Sequence, residues 1–219
     1  QRQMCIRDRS QDIDIRYCTV ENNGANGIFV QNSTRVNILH NDLRSNYRNS
    51  VYFENSNRCN VLDNTMVDGL NGVSCESSDN NIIRNNVFAE HLRYGVALGP
   101  GSDNNEVVNN HFDGNRGSGS FFRSYFVQAE DLGTNNKWSD ADGGNWWYNW
   151  QNMGGMPYVI STSPRIVDSR PLDLRYIDPW NSPQHDGHHS GNTSSTAPST
   201  NRTAWTIDNF LSLIHISEP

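Results

Sequence analysis

Two arginines at matching positions are the residues of this sequence whose type and spacing could do chemistry. Arg48 and Arg93 each stand three residues before a valine, Val51 or Val96, that opens a short alternating apolar segment. Further polar and aromatic side chains lie near them in the chain: Tyr47, Tyr94, His91 and Arg116. A guanidinium can hold a carboxylate through two parallel hydrogen bonds. The pattern predicts a binding strip for an acidic polysaccharide; the alternative is solvated turn residues that offset acids such as Glu90.

A repeat must position these residues. In each unit a β-branched residue is followed three positions later by Asn and two positions further on by a larger apolar residue, with successive spacings of 23, 23, 22 and 24 residues. The copies are Ile15/Cys18/Val20, Ile38/Asn41/Leu43, Val61/Asn64/Met66, Ile83/Asn86/Phe88 and Val107/Asn110/Phe112. A second apolar pair follows in each unit: Ile28/Val30, Val51/Phe53, Val73/Cys75, Val96/Leu98 and, less clearly, Ser120/Phe122. Each unit therefore predicts two short strands separated by polar turns.

Neither strand of a unit can bury its apolar face alone, so the units must stack. The sequence predicts an all-β solenoid, a right-handed parallel β-helix, over residues 10–134. A leucine-rich repeat is the nearest alternative, because Val36, Ile38, Asn41 and Leu43 mimic its consensus. The return segment of each unit resembles a second strand rather than a helix, and this favours the β-helix.

The recurring asparagine has a clear structural role in such a stack. A carboxamide can donate to and accept from the same residue of the next coil, which forms a ladder of amides. We therefore expect four side chains to lie in one inward column: Asn41, Asn64, Asn86 and Asn110. Cys18 stands where the ladder predicts asparagine, so the first visible coil is atypical.

No catalytic set is evident among the aspartates. Asp63, Asp79 and Asp103 fall near turns, and we do not expect them to form the close carboxylate pair that glycoside hydrolysis needs. The Asp-Pro-His-Asp element of mannuronan epimerases and the paired-Asp and Gly-His-Gly elements of polygalacturonases are absent from the sequence. A noncatalytic role is favoured, and a lyase or epimerase whose catalytic coils lie upstream is the enzyme alternative.

The segments outside the coils differ in composition. Residues 135–180 are rich in tryptophan and predict an irregular C-terminal cap, although exposed tryptophans could also be a sugar platform. Residues 181–203 are rich in Ser, Thr and Pro and predict a disordered linker, after which residues 204–210 could begin another domain. Residues 1–9 and 211–219 resemble translated transposase adapters, so we expect both to be non-native and the chain to be a fragment.

Composition excludes several partners. The net charge of −7 argues against a nucleic acid, whose phosphates demand a basic face. No apolar run approaches the roughly 18 residues of a membrane span. Outside residues 1–9 the three cysteines form no C-x-x-C pair, so we expect neither a metal site nor a cofactor, and the tract of His185, His188 and His189 is interpreted as solvated linker.

The residues after the coils resemble a known family, the NosD-type right-handed β-helix proteins, also called the carbohydrate-binding and sugar-hydrolase repeat class. The matching pieces occur in the family's order: Asn136/Trp138, residues 144–147 (GNWW), residues 156–160 (MPYVI) and residues 168–172 (DSRPL). The acidic stretch that members often carry before the Pro-Tyr pair is missing here. The resemblance implies a β-helix fold over about residues 10–175.

Three functions are consistent with these observations. The preferred one is a noncatalytic structural or carbohydrate-binding module of an exported, periplasmic or cell-surface protein with further domains. The second is the truncated polysaccharide lyase or epimerase. The third is a periplasmic metal-handling accessory protein like the namesake of the family.

Overall fold

The strands of this chain stack in parallel ladders that advance one coil per sequence repeat. The computed structural model describes residues 4–6, 10–117, 126–150, 156–162 and 164–172. Up to residue 147 the described chain is a parallel β-helix, which confirms the predicted solenoid. In this part of the chain no helix is long and apolar enough to cross a membrane.

The β-helix has three faces. The first face consists of β2 (Gln11–Arg16), β5 (Thr34–Leu39), β7 (Asn60–Leu62), β9 (Ile82–Arg84) and β12 (Glu106–Val108). The second consists of β3 (Thr19–Glu21), the starts of β6 (Asp42–Glu54) and β8 (Thr65–Glu76), then β10 (Val87–Ala89), β13 (His111–Asp113) and β15 (Trp146–Trp147). The third consists of β1 (Met4–Ile6), β4 (Ile28–Gln31), the ends of β6 and β8, then β11 (Val96–Leu98) and β14 (Ala129–Asp131).

Each face contributes columns of buried side chains to one core. On the first face the column is Ile15, Ile38, Val61, Ile83 and Val107. On the second it is Val20, Leu43, Met66, Phe88, Phe112 and Trp147. On the third it begins Ile28, Val51, Val73, Val96 and Ala129. The register read from the repeat is therefore confirmed for the aliphatic columns.

The predicted first strand of each unit is two strands joined at a corner. The corner lies at the recurring asparagine, and the residue before it adopts the left-handed region at φ between 54° and 58°, in Tyr17, His40, Asp63, Asn85 and Asn109. Asparagine and aspartate tolerate this conformation better than most residues. The inward positions lie three residues apart across such a corner, as between Ile38 and Asn41, so the alternation breaks by only one residue. A break of this size does not by itself indicate a corner.

The last coil departs from the predicted spacing. Ser120 and Phe122, expected to form its second strand, lie outside the described residues. The ladder position beside β11 is taken by β14, where Val96 pairs with Ala129 and Leu98 with Asp131. An insertion therefore precedes this strand.

The tryptophan-rich segment first extends the β-helix and then closes it. Trp147 of β15 pairs with Phe112 in the parallel ladder, and their rings stack at 4.1 Å. A short 3-10 helix (Tyr148–Trp150) follows, and then an antiparallel hairpin of β16 (Tyr158–Thr162) and β17 (Arg165–Asp168). The ring of Tyr158 stacks on the other side of Trp147 at 3.9 Å, so the hairpin covers the end of the core.

Several segments predicted from the sequence fall outside the residues that the structure describes. The linker at 181–203, the possible domain start at 204–210 and residues 211–219 are outside the described residues. Within residues 1–9, only Met4–Ile6 is described, as strand β1 paired with β4.

Candidate functional site

The candidate strip lies on the turns that lead into the third face; we call its four members the arginine strip: Tyr47, Arg48, Arg93 and Arg116. The N–H of Arg93 donates to the carbonyl of Leu70 at 2.9 Å, and Asn49 pairs with Asn71 one coil apart. Arg48, Leu70 and Arg93 therefore occupy one position in three successive coils. Both arginines are exposed, and Tyr47 is 74% exposed. At the strand spacing of a β-sheet, the two arginine backbones lie roughly 10 Å apart.

Two residues predicted for this strip lie inside the protein instead. Tyr94 is only 3% exposed, and its hydroxyl donates to Oε1 of Glu130 at 3.0 Å. His91 is fully buried. Of the two, only the Tyr94 ring remains connected to the strip, because the Arg93 guanidinium lies 5.6 Å from its centroid. His91 and Tyr94 were predicted to join the strip because they lie near Arg93 in the sequence. At a turn, however, sequence spacing does not indicate which side chains point inward.

His91 occupies an interior corner of the coil. Burial lowers its pKa to about 4, against a smaller opposing effect of the nearby carbonyl groups of Met66 and Asp68. Among the residues that the structure describes, neither ring nitrogen reaches hydrogen-bonding geometry with a partner. The N–H of the exposed Arg116 donates to the His91 carbonyl at 2.9 Å, so Arg116 stacks one coil beyond this corner.

The recurring asparagines form a continuous column of buried amides. Nδ2 of each residue donates to Oδ1 of the next at 3.0 Å, through Asn41, Asn64, Asn86, Asn110 and Asn145. A second Nδ2 bond goes back to a strand carbonyl of the preceding coil, as from Asn64 to Ile38 at 2.8 Å. Each Oδ1 also accepts a backbone N–H. These amides are thus satisfied within the protein and belong to its framework.

The column ends at a carboxylate. Oδ2 of Asp168 accepts the N–H of Asn145 at 2.6 Å and the indole N–H of Trp147 at 2.9 Å. Each amide of the column donates to the next residue toward the C-terminal end, so the last residue must be an acceptor. An ionised carboxylate suits this position because both of its oxygens accept hydrogen bonds and neither donates. Burial raises the pKa of Asp168, while its hydrogen bonds from Trp147, Asn145 and Arg170 oppose that shift.

The coils contain further polar ladders that the repeat pattern did not predict. A serine ladder runs through Ser33, Ser56, Ser78 and Ser102. Amide ladders run through Asn81, Asn105 and Asn136, and through Asn26, Asn49 and Asn71. Their members also recur at the repeat spacing, so aligning every polar position of the units would have found them.

A second candidate surface lies on the outward side of the third face; we call it the acidic notch, and its members are Tyr52, Glu54, Glu76 and Glu130, the last of which accepts a hydrogen bond from the buried Tyr94. Glu54 and Glu76 pair in register on adjacent coils. Tyr52, Ser74, Ala97 and Glu130 follow one another in the neighbouring column, so small residues form the floor between Tyr52 and Glu130.

Neighbouring groups hold the carboxylates of the notch in place. Nε2 of Gln31 donates to Oε2 of Glu54 at 2.8 Å, and Glu130 accepts the Tyr94 hydroxyl. A Cβ on Gly99 would lie 2.4 Å from Oε2 of Glu76, so the Glu76 carboxylate rests on the bare backbone of that glycine. A side chain at position 99 would force the Glu76 carboxylate to move.

Electrostatics and aromatic packing distinguish the notch from an ordinary acidic surface. Burial raises the pKa of Glu76, and the charges of Glu130 and Glu54 raise it further. Burial and the charges of Glu54 and Glu76 also raise the pKa of Tyr52. The Tyr52 ring stacks on Phe29 with centroids 5.2 Å apart. Glu54 and Glu76 both stand three residues after the first inward valine of their strand, a shared register that a search confined to aspartates misses.

The described ranges contain no group of three or more His, Cys, Asp or Glu residues placed to hold a metal ion. His185, His188 and His189 lie outside those ranges.

Comparison with known proteins identifies the class. The model of the family described as "right handed beta helix region" matches residues 3–142, so the chain belongs to that family and its coils are right-handed. Among solved structures, the crystal structure of the periplasmic alginate epimerase AlgG is similar, with 14% identity and a TM-score of 0.45 over 58% of this chain. The match covers 34% of the AlgG chain. No curated protein matches the sequence.

Proposed function

We propose that this chain is a polysaccharide-binding β-helix module of an exported, periplasmic or cell-surface protein. The observation that carries the proposal is the placement of Arg48 and Arg93 at one position of the coil, both exposed, with Tyr47 beside them. The solenoid thereby presents two cations on one face, two coils apart. An extended polymer with carboxylates at a comparable separation fits this pair.

Charge sets the kind of binding expected. Each arginine can engage a uronate carboxylate through two parallel hydrogen bonds. The net charge of −7 repels a polyanion at long range, so attraction must come from the local strip. A modest affinity that falls as salt is added follows from both effects.

Titration of oligogalacturonate and of a neutral glucan at low salt tests the proposal. We expect the protein to bind oligogalacturonate more tightly than the glucan, and Arg48→Ala/Arg93→Ala to weaken that binding about 10-fold or more, roughly 1.4 kcal/mol. Arg58→Ala/Arg165→Ala changes the net charge equally at exposed arginines elsewhere and is the matched control. Equal binding by the three proteins, or none by any, would return the strip to solvated turn residues.

The sequence motifs support a narrower assignment within the right-handed β-helix family. The order of the pieces that follow the coils supports a NosD-type member of the right-handed β-helix family. A metal-handling role like that of the family's namesake would depend on His185, His188 and His189, whereas the arginine strip supports carbohydrate binding.

A further inference from the structure

His91 interrupts a second column of buried amides, which lies at the corner between the second and third faces. On the N-terminal side, Nδ2 of Asn23 donates to Oδ1 of Asn46 at 2.7 Å. On the C-terminal side, Nδ2 of Asn115 donates to Oε1 of Gln128 at 3.1 Å. The backbone N–H of His91 donates to Oδ1 of Asn115 at 3.2 Å, so the imidazole stands where the column would hold a further amide.

The asparagines of this column show which side chain the corner accommodates. Nδ2 of Asn46 donates to the carbonyl of Val20 at 3.0 Å, and Nδ2 of Asn115 donates to the carbonyl of Phe88 at 2.8 Å. Both carbonyls belong to one inward column of the second face, in which Met66 is the corresponding residue for the intervening position. An amide in place of the imidazole would therefore have the Met66 carbonyl as its acceptor.

The imidazole fits this corner less well than an amide. The His91 side chain is fully buried, and within the described ranges neither ring nitrogen has a hydrogen-bond partner. The position one coil earlier in the column is Gly69, which pairs with Asn46 and offers no side chain to the ring. Buried polar atoms without partners are rare in folded proteins, so His91 marks an exception in an otherwise satisfied column.

Charged groups surround the corner but leave the ring without a counter-ion. The charged residues described on the turns and strands next to it are Asp68 on the preceding coil, Glu90 and Arg93 on the same turn, and Asp113 and Arg116 on the following coil. All are exposed except Asp113, which is half-buried. The charge of Asp68 favours the protonated ring, but burial opposes protonation more strongly.

We propose that His91 makes the solenoid sensitive to acid: uptake of a proton by its buried ring promotes opening of the coils. An imidazolium in this corner is deprived of water, and opening returns it to solvent. The turn of His91 also carries Arg93, and the N–H of Arg116 donates to the His91 carbonyl at 2.9 Å. Opening therefore separates two members of the arginine strip. The inference holds whether or not that strip binds a polysaccharide.

The pH range of the effect follows from the two states of the ring. Burial lowers the pKa of His91 from its usual 6.5 to about 4 in the folded chain. Between these values the unfolded chain binds more protons than the folded chain, so stability is complete above the usual pKa and falls as the pH drops toward the lowered one. From about pH 7 to about pH 5, we expect this residue to raise the equilibrium constant for unfolding about 20-fold.

Urea denaturation of the full chain at these two pH values tests the proposal, with His91→Asn as the decisive variant. Its amide should donate to the Met66 carbonyl and cannot be protonated in this range. We therefore expect its unfolding constant to rise about 20-fold less than that of the wild type as the pH falls. His40→Asn removes a half-buried histidine on another corner and is the matched control, which should keep the larger, wild-type response.

A second measurement needs no variant. In the folded wild type, the NMR signals of the His91 ring should show no titration above about pH 5, whereas a histidine in contact with water titrates near pH 6.5. Titration of the His91 ring near pH 6.5 in the folded chain overturns the proposal. Equal responses to acid in the wild type and in folded His91→Asn also overturn it.

Discussion

At the scale of single residues, the common direction of its side-chain hydrogen bonds distinguishes the asparagine column from a simple stack of polar groups. Each amide donates toward the C-terminal end, and the column begins where the backbone N–H of Cys18 donates to Oδ1 of Asn41 at 2.9 Å. It ends at Asp168, which only accepts when ionised. An amide in the middle therefore serves partners on both sides, and its loss leaves unmatched groups in both neighbouring coils.

Replacing Asn64 with leucine tests this dependence. The variant removes the acceptor of the Asn41 amide and the donor to Oδ1 of Asn86, both buried. We expect the free energy of unfolding to fall by roughly 1–3 kcal/mol, measured by urea denaturation. Asn60→Ala is the control, because its amide makes a half-buried outward bond to Asn37, and the expected loss is below about 1 kcal/mol. Equal losses in the two variants would contradict a special role for the inward column.

Predictability at this scale depends on recurrence. The Asn64 column could be predicted because the same residue type returns at every repeat. His91 and Tyr94 could not be placed, because each occurs once in its column and its orientation is decided by the backbone path of a turn. Glutamate occupies its position in only two coils, as Glu54 and Glu76. The placement of the Glu76 carboxylate depends on Gly99 one coil further on, and no local sequence pattern connects the two residues.

At the scale of elements, the hairpin of β16 and β17 closes the C-terminal end of the core. Without it, the stacked ring of Trp147 would lose Tyr158 on one side and the hydrogen bond to Asp168 on its indole. Motif resemblance and tryptophan content predicted a cap there. They could not predict that Trp147 is itself a rung of the parallel ladder, because a two-residue strand carries no alternation.

Deleting the hairpin by truncation after residue 150 tests its capping role. The truncation exposes Trp147 and the unpaired edge of β15, and such an edge recruits other chains. We expect aggregation during purification, visible by size-exclusion chromatography, and a lower thermal midpoint in any soluble fraction. Truncation after residue 172 removes only residues beyond the hairpin and is the control. A monomeric, cooperatively folding product of the first truncation would show that the coils need no cap.

At the scale of the whole molecule, a solenoid could open coil by coil, since each repeat contacts only its neighbours. In this chain the core columns and the polar ladders run unbroken through successive coils, from Asn41 to Asp168 in the longest ladder. Opening one coil breaks bonds on both of its sides. The ladders therefore favour collective opening over local opening in the middle of the solenoid.

Thiol labelling can measure this collectivity. Cys59 and Cys75 are fully buried free thiols near the middle of the solenoid, and burial raises the pKa of both, that of Cys59 to about 11. Because the thiolate is the reactive form, neither should react with a thiol reagent unless the coils open. Cys18, on the first coil, is half-buried and should react faster.

In variants that each keep one of these three cysteines, with Cys5 also replaced by serine, we expect Cys59 and Cys75 to react at the same rate. That rate should equal global unfolding measured by denaturant jump and extrapolated to water, when labelling outpaces reclosing. Local opening would instead let one central thiol react faster than the other. The ratio of the two labelling rates would then equal the ratio of the rate constants at which the two coils open. A rate for Cys75 more than about 10-fold above that for Cys59, equivalent to about 1.4 kcal/mol, would show that the ladders do not couple these coils.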